Sequence, residues 1–125
     1  MRTLIEKAKT TNVAAATVYY QSHIGRLANY PLMAAKEDMI GMIMADSGRS
    51  PKAVAPFGGR EARLGTNPIS MAIPSELGAP LFLDMATSAA AAGKVNVAVA
   101  RGDTVPDGWV TVSYTHLTLP TTLVV

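Results

Sequence analysis

"ISMAIPSELGAPLFLDM", residues Ile69–Met85, holds two five-residue apolar runs, Ile69–Ile73 and Leu81–Met85. They are separated by Pro74–Pro80, which contains two prolines and Gly78. Short apolar runs bounded by turn residues read as strands. Downstream, Ser88–Ala100 is alanine-rich and reads as a helix that Gly102 ends. Asp103–Trp109 is a loop. Upstream, Asp46–Pro68 carries Pro51, Pro56, Pro68 and four glycines, and reads as one long loop. Such a loop is functional or lies against another subunit. Met39–Ala45 is a continuous apolar run that suits a buried strand. Ala28–Asp38 reads as a helix starting at Asn29 or Tyr30, because Pro31 fits only in a first turn. Gln21–Gly25 is a short loop. Val13–Tyr20, rich in β-branched and aromatic residues, reads as a strand. Leu4, Ile5 and Ala8 recur at helical spacing, so Met1–Thr10 reads as an amphipathic helix stopped at Asn12. Strands alternating with helices indicate an α/β or α+β domain.

The chain has 125 residues, enough for one domain with a modest core. Hydrophobic residues make up 49% and charged residues 16%, a globular rather than a disordered balance. The net charge of +2 comes from dispersed basic residues, which argues against a nucleic-acid partner. There is no cysteine, so disulfides, thiolate metal sites and cysteine nucleophiles are excluded. Charges at Arg2, Glu6, Lys7 and Lys9 interrupt any signal-peptide core, and no apolar run has the length of a membrane span. A cytoplasmic protein without a membrane partner is expected.

Several sites are missing from the sequence. No G-x-G-x-x-G follows a strand, and Gly93-Lys94 lacks the upstream glycine of a phosphate loop. His23 and His116 have no second ligand at metal spacing, so no metal is expected. Ser22 and His23 are neighbours whose side chains diverge, which does not make a catalytic dyad. Met33, Met39, Met42 and Met44 read as core filling.

Three stretches carry chemistry: "QSHIGRLANY" (Gln21–Tyr30), "VAPFGGREARLGTNPISMAIP" (Val54–Pro74) and "LFLDMATSAAAAGKV" (Leu81–Val95). His23 lies in a loop from which a side chain can reach a cleft or merely hydrogen-bond its own loop. Histidine exchanges a proton near neutral pH, as a general base must. Thr87 or Ser88 can cap the following helix, whose free amides attract an anion. An ordinary capped helix is the plainer alternative. Arg60 and Arg63 can clamp a carboxylate or phosphate, or hold the glycine-rich loop by pairing with Glu61 or a neighbouring chain, the structural use being favoured for Arg63.

In order, spacing and wording the three stretches resemble the non-Rossmann type of malate/L-lactate dehydrogenase, from about Leu4 to Trp109. The wording "HIGRL" is nearest the hydroxycarboxylate dehydrogenase branch. The resemblance implies a mixed, largely antiparallel sheet with flanking helices, forming the cofactor-binding region over residues 1–109. It implies hydride transfer between NAD or NADP and a small 2-hydroxy or 2-oxo acid, in a homodimeric parent enzyme. It gives His23 a role in proton transfer or against the nicotinamide. It puts Ile24, Gly25, Asp84, Met85, Ala86, Thr87 and Ser88 along the cofactor, with Asp84 accepting from a ribose hydroxyl. Arg60 is a candidate for the substrate carboxylate.

The chain also departs from that family. A Ser-His-Gly segment expected upstream is missing, and so is the downstream half, so the chain reads as an internal fragment without activity of its own. Val110–Leu119 alternates like a strand, yet Ser113–Thr122 resembles translated adapter sequence, and residues 110–125 read as a non-native tail. An inactive truncated product and a small anion-binding module are the rival readings.

Overall fold

The computed structural model describes residues 1–46, 52–59, 61–111 and 114–118, with backbone alone for residues 111 and 114–118. In chain order the elements are α1 (Arg2–Thr11), α2 (Asn29–Ala35), β1 (Gly41–Met44), β2 (Val54–Ala55), β3 (Ile69–Ile73), β4 (Leu81–Met85), α3 (Ala92–Arg101), β5 (Val110–Thr111) and β6 (Tyr114–Thr118). The chain divides into two units. One comprises Met1–Met44 and Ile69–Met85, the other Ala45–Pro68 and Ala86–Val125.

The first unit is organised by the hairpin of β3 and β4, which spans the two apolar runs read from the sequence. Its register runs from Ile69 opposite Met85 to Ile73 opposite Leu81. Gly78, at φ 86°, takes the left-handed conformation needed in the connection. β1 pairs antiparallel with the other edge of β3, so the strand order is β1-β3-β4. The central β3 alternates, with Ser70 and Ala72 buried. Ser70 donates to the Leu83 carbonyl at 2.7 Å. α2 begins at Asn29, as its proline requires, and buries Pro31, Ala34 and Ala35. Small residues allow a close approach of helix to sheet. A Cβ on Gly41 would lie 2.7 Å from both the Cα and the carbonyl oxygen of Pro31. α1 ends where the sequence indicates: Asn12 is left-handed at φ 64°, and its N–H bonds the Ala8 carbonyl at 2.8 Å. Lys9 reaches Glu6 at 3.1 Å and Glu37 at 3.2 Å. Those hydrogen bonds, the one to Glu6 first, hold its ammonium above the usual lysine range.

Two expectations fail in this unit. Val13–Tyr20 forms no strand, and Tyr20 lies at φ 57°. Val13, Val18, Tyr19 and Tyr20 are exposed. β propensity needs a neighbouring backbone to be realised, and among the described residues no strand pairs with this segment. The second failure is Met39–Ala45, which supplies only the four-residue β1 at a sheet edge, with Met42 and Met44 exposed rather than buried. β4 is the opposite edge, and all five of its residues are exposed.

The second unit is built on Val54, wholly buried and packed with Ala90. Ala53, Leu64, Ala92, Val95, Trp109 and Val110 surround this pair. The supposed long loop therefore has internal order. Val54 bridges Leu64 antiparallel, with N–H···O distances of 2.9 and 3.1 Å. Asp46 accepts from the Gly65 amide at 2.8 Å and from Lys52 at 2.7 Å. β6 runs parallel to β2 and antiparallel to β5, so the strand-like alternation after Trp109 is realised as two short strands. α3 ends at Gly102, left-handed at φ 70°, as expected.

The start of α3 corrects the sequence reading. The helix begins at Ala92 with Ala91 as its N-cap, not at Ser88, and no side chain caps it. The Thr87 hydroxyl bonds the Asn67 carbonyl at 3.1 Å and also contacts Asn67 Oδ1. Ser88 donates to the Ala90 carbonyl at 2.9 Å. The Ser88 hydroxyl thus serves a local turn and the Thr87 hydroxyl a distant residue, both in place of capping the helix. The whole is a mixed α/β chain with largely antiparallel pairing, as the sequence indicated. No helix among the described residues is long and apolar enough to cross a membrane.

Candidate functional site

Gln21–Ala28 leads from the Val13–Tyr20 segment into α2 and carries His23 exposed. Its shape is fixed from within. Gly25 is at φ 73°, which glycine alone adopts without strain. That turn lets its N–H reach back to His23 Nδ1 at 3.1 Å. Tyr30, the second residue of α2, donates to the Ile24 carbonyl at 2.9 Å. The accepting Nδ1 leaves the hydrogen of a neutral imidazole on Nε2. His23 therefore presents a donor outward, suited to a carbonyl or amide oxygen. To take a proton at Nε2 the ring must first carry its hydrogen on Nδ1, which requires the Gly25 contact to open.

The loop is also fixed from the sheet. Asp84 Oδ2, near the end of β4, accepts the Ala28 N–H at 3.0 Å. Ala28 is the N-cap residue of α2 and is fully buried. A strand carboxylate thus caps a helix that has no side-chain cap of its own. The same oxygen lies 3.9 Å from Arg26 Nε, with the Asp84 side chain 22% exposed and that of Arg26 55%. The Arg26 guanidinium carbon sits 5.0 Å from the centroid of the Phe82 ring.

The first unit accordingly joins His23, Ile24, Gly25 and Asp84 through one tethered loop. Met85 ends β4 with its side chain exposed. Ala86, Thr87 and Ser88 belong to the second unit, where Ser88 is buried and Thr87 holds Asn67. Arg60 lies outside the described residues. Arg63 pairs with Glu61 at 2.6 Å, the structural use foreseen for it. Sequence reasoning passed over Arg26, although it stands inside the quoted motif three residues from His23. It also gave Tyr30 no role, although a tyrosine in the first turn of a helix after a glycine loop can reach back to that loop. Among the described residues, no group of three or more His, Cys, Asp or Glu is gathered. An open groove of about 440 Å³ lined by Arg2, Ile5, Glu6, Met33, Lys36 and Glu37 shares no residue with the His23 loop.

The family model for malate/L-lactate dehydrogenase matches residues 1–119, and the chain belongs to that family. Among curated relatives, it is 45% identical over 109 residues to malate dehydrogenase of Pyrococcus abyssi, covering 87% of the chain and 29% of that protein. It is 39% identical over 104 residues to hydroxycarboxylate dehydrogenase B of Escherichia coli K12, covering 83% and 28%. The "HIGRL" wording therefore does not extend into a greater overall likeness to the hydroxycarboxylate branch. Among solved structures, a dehydrogenase from Sinorhizobium meliloti superposes with a TM-score of 0.81 at 38% identity, over 95% of this chain and 34% of that one. The chain thus spans about a third of the length of the proteins it matches.

Proposed function

We propose that the chain is part of an oxidoreductase moving a hydride between NAD or NADP and a small 2-hydroxy or 2-oxo acid. The observation that carries this reading is the His23 loop: an exposed imidazole, oriented by the Gly25 amide and anchored through Asp84, on a family-matched segment. Relatives named for malate, lactate and sulfolactate support the substrate class. When bound, the nicotinamide supplies the hydride acceptor or donor. Oxidation of the acid removes a hydride from its carbinol carbon and a proton from its hydroxyl. His23 serves the oxygen. In oxo-acid reduction the imidazolium, with the Gly25 contact open, gives its Nε2 proton to the carbonyl oxygen as the hydride arrives, leaving the neutral ring with its hydrogen on Nδ1. In the reverse direction it receives the hydroxyl proton once the Gly25 contact has opened.

The residues present fit such a cofactor. The start of α3 has no acidic residue in its first turn and no side-chain cap, carries Lys94, and is open around Gly93. Those features suit a phosphate. In the first unit, the exposed His23 loop suits an amide or carbonyl oxygen. We assign Ile24, Gly25, Asp84, Met85, Ala86, Thr87 and Ser88 to the cofactor and keep Arg60 for the substrate carboxylate. The working enzyme is a cytoplasmic homodimer, and residues 1–125 by themselves do not turn over.

The test is His23→Ala in the complete enzyme, followed through consumption of NADH or NADPH with a panel of 2-oxo acids. The rate falls by roughly 10²–10⁴. The melting temperature stays put, because an exposed side chain leaves no cavity. An unchanged rate would return His23 to a purely local role.

A further inference from the structure

We infer that Arg26 is a binding residue for an oxyanion of the reactants, either the carboxylate of the 2-oxo acid or a phosphate of the cofactor. The inference rests on the reading of the chain as part of a hydroxy-acid dehydrogenase. Three observations carry it.

The first is placement. Arg26 follows His23 by three residues on a loop held at Gly25, Ile24 and Ala28. A cation three residues along from a carbonyl-directed donor is what an α-oxo carboxylate presents a use for, since its two functional groups are bonded neighbours. The second is orientation. The guanidinium lies over the Phe82 ring, 5.0 Å from its centroid, while Nε is turned towards Asp84 at 3.9 Å. Stacking limits the rotamers that would be lost on binding. Because Nε is the nitrogen facing the carboxylate, the terminal nitrogens remain for a planar oxyanion. The third is the state of Asp84. Its Oδ2 accepts the buried Ala28 amide at 3.0 Å, a shorter contact than the 3.9 Å to Arg26. Asp84 is therefore satisfied as a helix cap without Arg26, and a counter-ion role alone leaves the arginine unexplained. Lys9, by contrast, is committed to Glu6 and Glu37.

The experiment uses the complete enzyme with Arg26→Gln, Arg26→Lys and Phe82→Leu. It measures KM for a 2-oxo acid at saturating cofactor, Kd for NADH and NADPH by fluorescence, and the melting temperature. Loss of a charge-assisted contact in Arg26→Gln weakens the ligand concerned by roughly tenfold to a hundredfold. A raised KM with unchanged cofactor Kd assigns the carboxylate. A raised Kd with unchanged KM assigns the phosphate. Arg26→Lys recovers part of the loss, having charge without the fork, and Phe82→Leu gives a smaller rise in the same constant. Unchanged KM and Kd in Arg26→Gln overturn the inference. So does a rise in both that tracks a lowered melting temperature, since that is loss of structure. A wild-type enzyme that reduces no 2-oxo acid sinks the dehydrogenase reading itself, and the inference with it. Wild-type turnover with an indifferent Arg26→Gln sinks the inference alone.

Discussion

Asp84→Ala is the sharpest probe of the loop architecture. The substitution removes the acceptor of the Ala28 N–H, at 3.0 Å, and Ala28 is fully buried. Ala28 is buried but Asp84 is exposed, so water takes over part of the carboxylate's role and the loss falls at the lower end of the range of about 1–3 kcal/mol for an orphaned amide. The Arg26 contact, at 3.9 Å with the arginine side chain 55% exposed, adds less than about 1 kcal/mol. The sum centres on about 1–2 kcal/mol of lost stability. With a urea dependence of about 1–3 kcal/mol per molar, the midpoint of a denaturation curve drops by about 1 M. Asp84→Asn keeps an oxygen acceptor and loses the charge, so it falls between wild type and alanine. Hydrogen exchange localises the effect, since the Ala28 amide should exchange far faster in the alanine variant. A wild-type midpoint together with a protected Ala28 amide in Asp84→Ala would refute the argument that a strand carboxylate caps α2.

Two further outcomes are expected from the same unit. Gly41→Ala sets a Cβ 2.7 Å from the Pro31 backbone, and backbone cannot swing aside, so it costs about 1–3 kcal/mol in the same denaturation assay; a neutral result would mean that α2 does not lie on β1 as described. Ser70→Ala deletes a buried hydroxyl that donates to the Leu83 carbonyl at 2.7 Å and lowers stability by about 1 kcal/mol, whereas an unchanged midpoint would show that the contact adds nothing to the hairpin.

What the sequence disclosed follows the range of the interactions involved. β3, β4, the start of α2 at its proline, and the stops at Asn12 and Gly102 were legible, because apolar periodicity, φ restriction and left-handed caps act within a few residues. Val13–Tyr20 was misread because its composition favours a strand while pairing depends on a distant backbone. The start of α3 was misplaced because Thr87 found Asn67, twenty residues away, and Ser88 found Ala90. The candidate site divides in the same way. His23 and Gly25 were visible as a loop motif. The grip of Asp84 on Ala28 crosses fifty-six residues and has no local signature.

The outer edge of β4 has a consequence for handling the protein. Leu81, Phe82, Leu83 and Met85 are exposed along a strand with no neighbour on one side among the described residues. Such an edge is a template for strand addition by another copy, and natural chains blunt it with charge, proline or cover. Pro80 guards only the entry to the strand, and Asp84 is the single charge within it. Concentrated solutions of the 125-residue chain should therefore associate through intermolecular β-pairing, and replacement of Asp84 by a neutral residue should hasten it. The carboxylate that holds the His23 loop is also the strand's gatekeeper against aggregation.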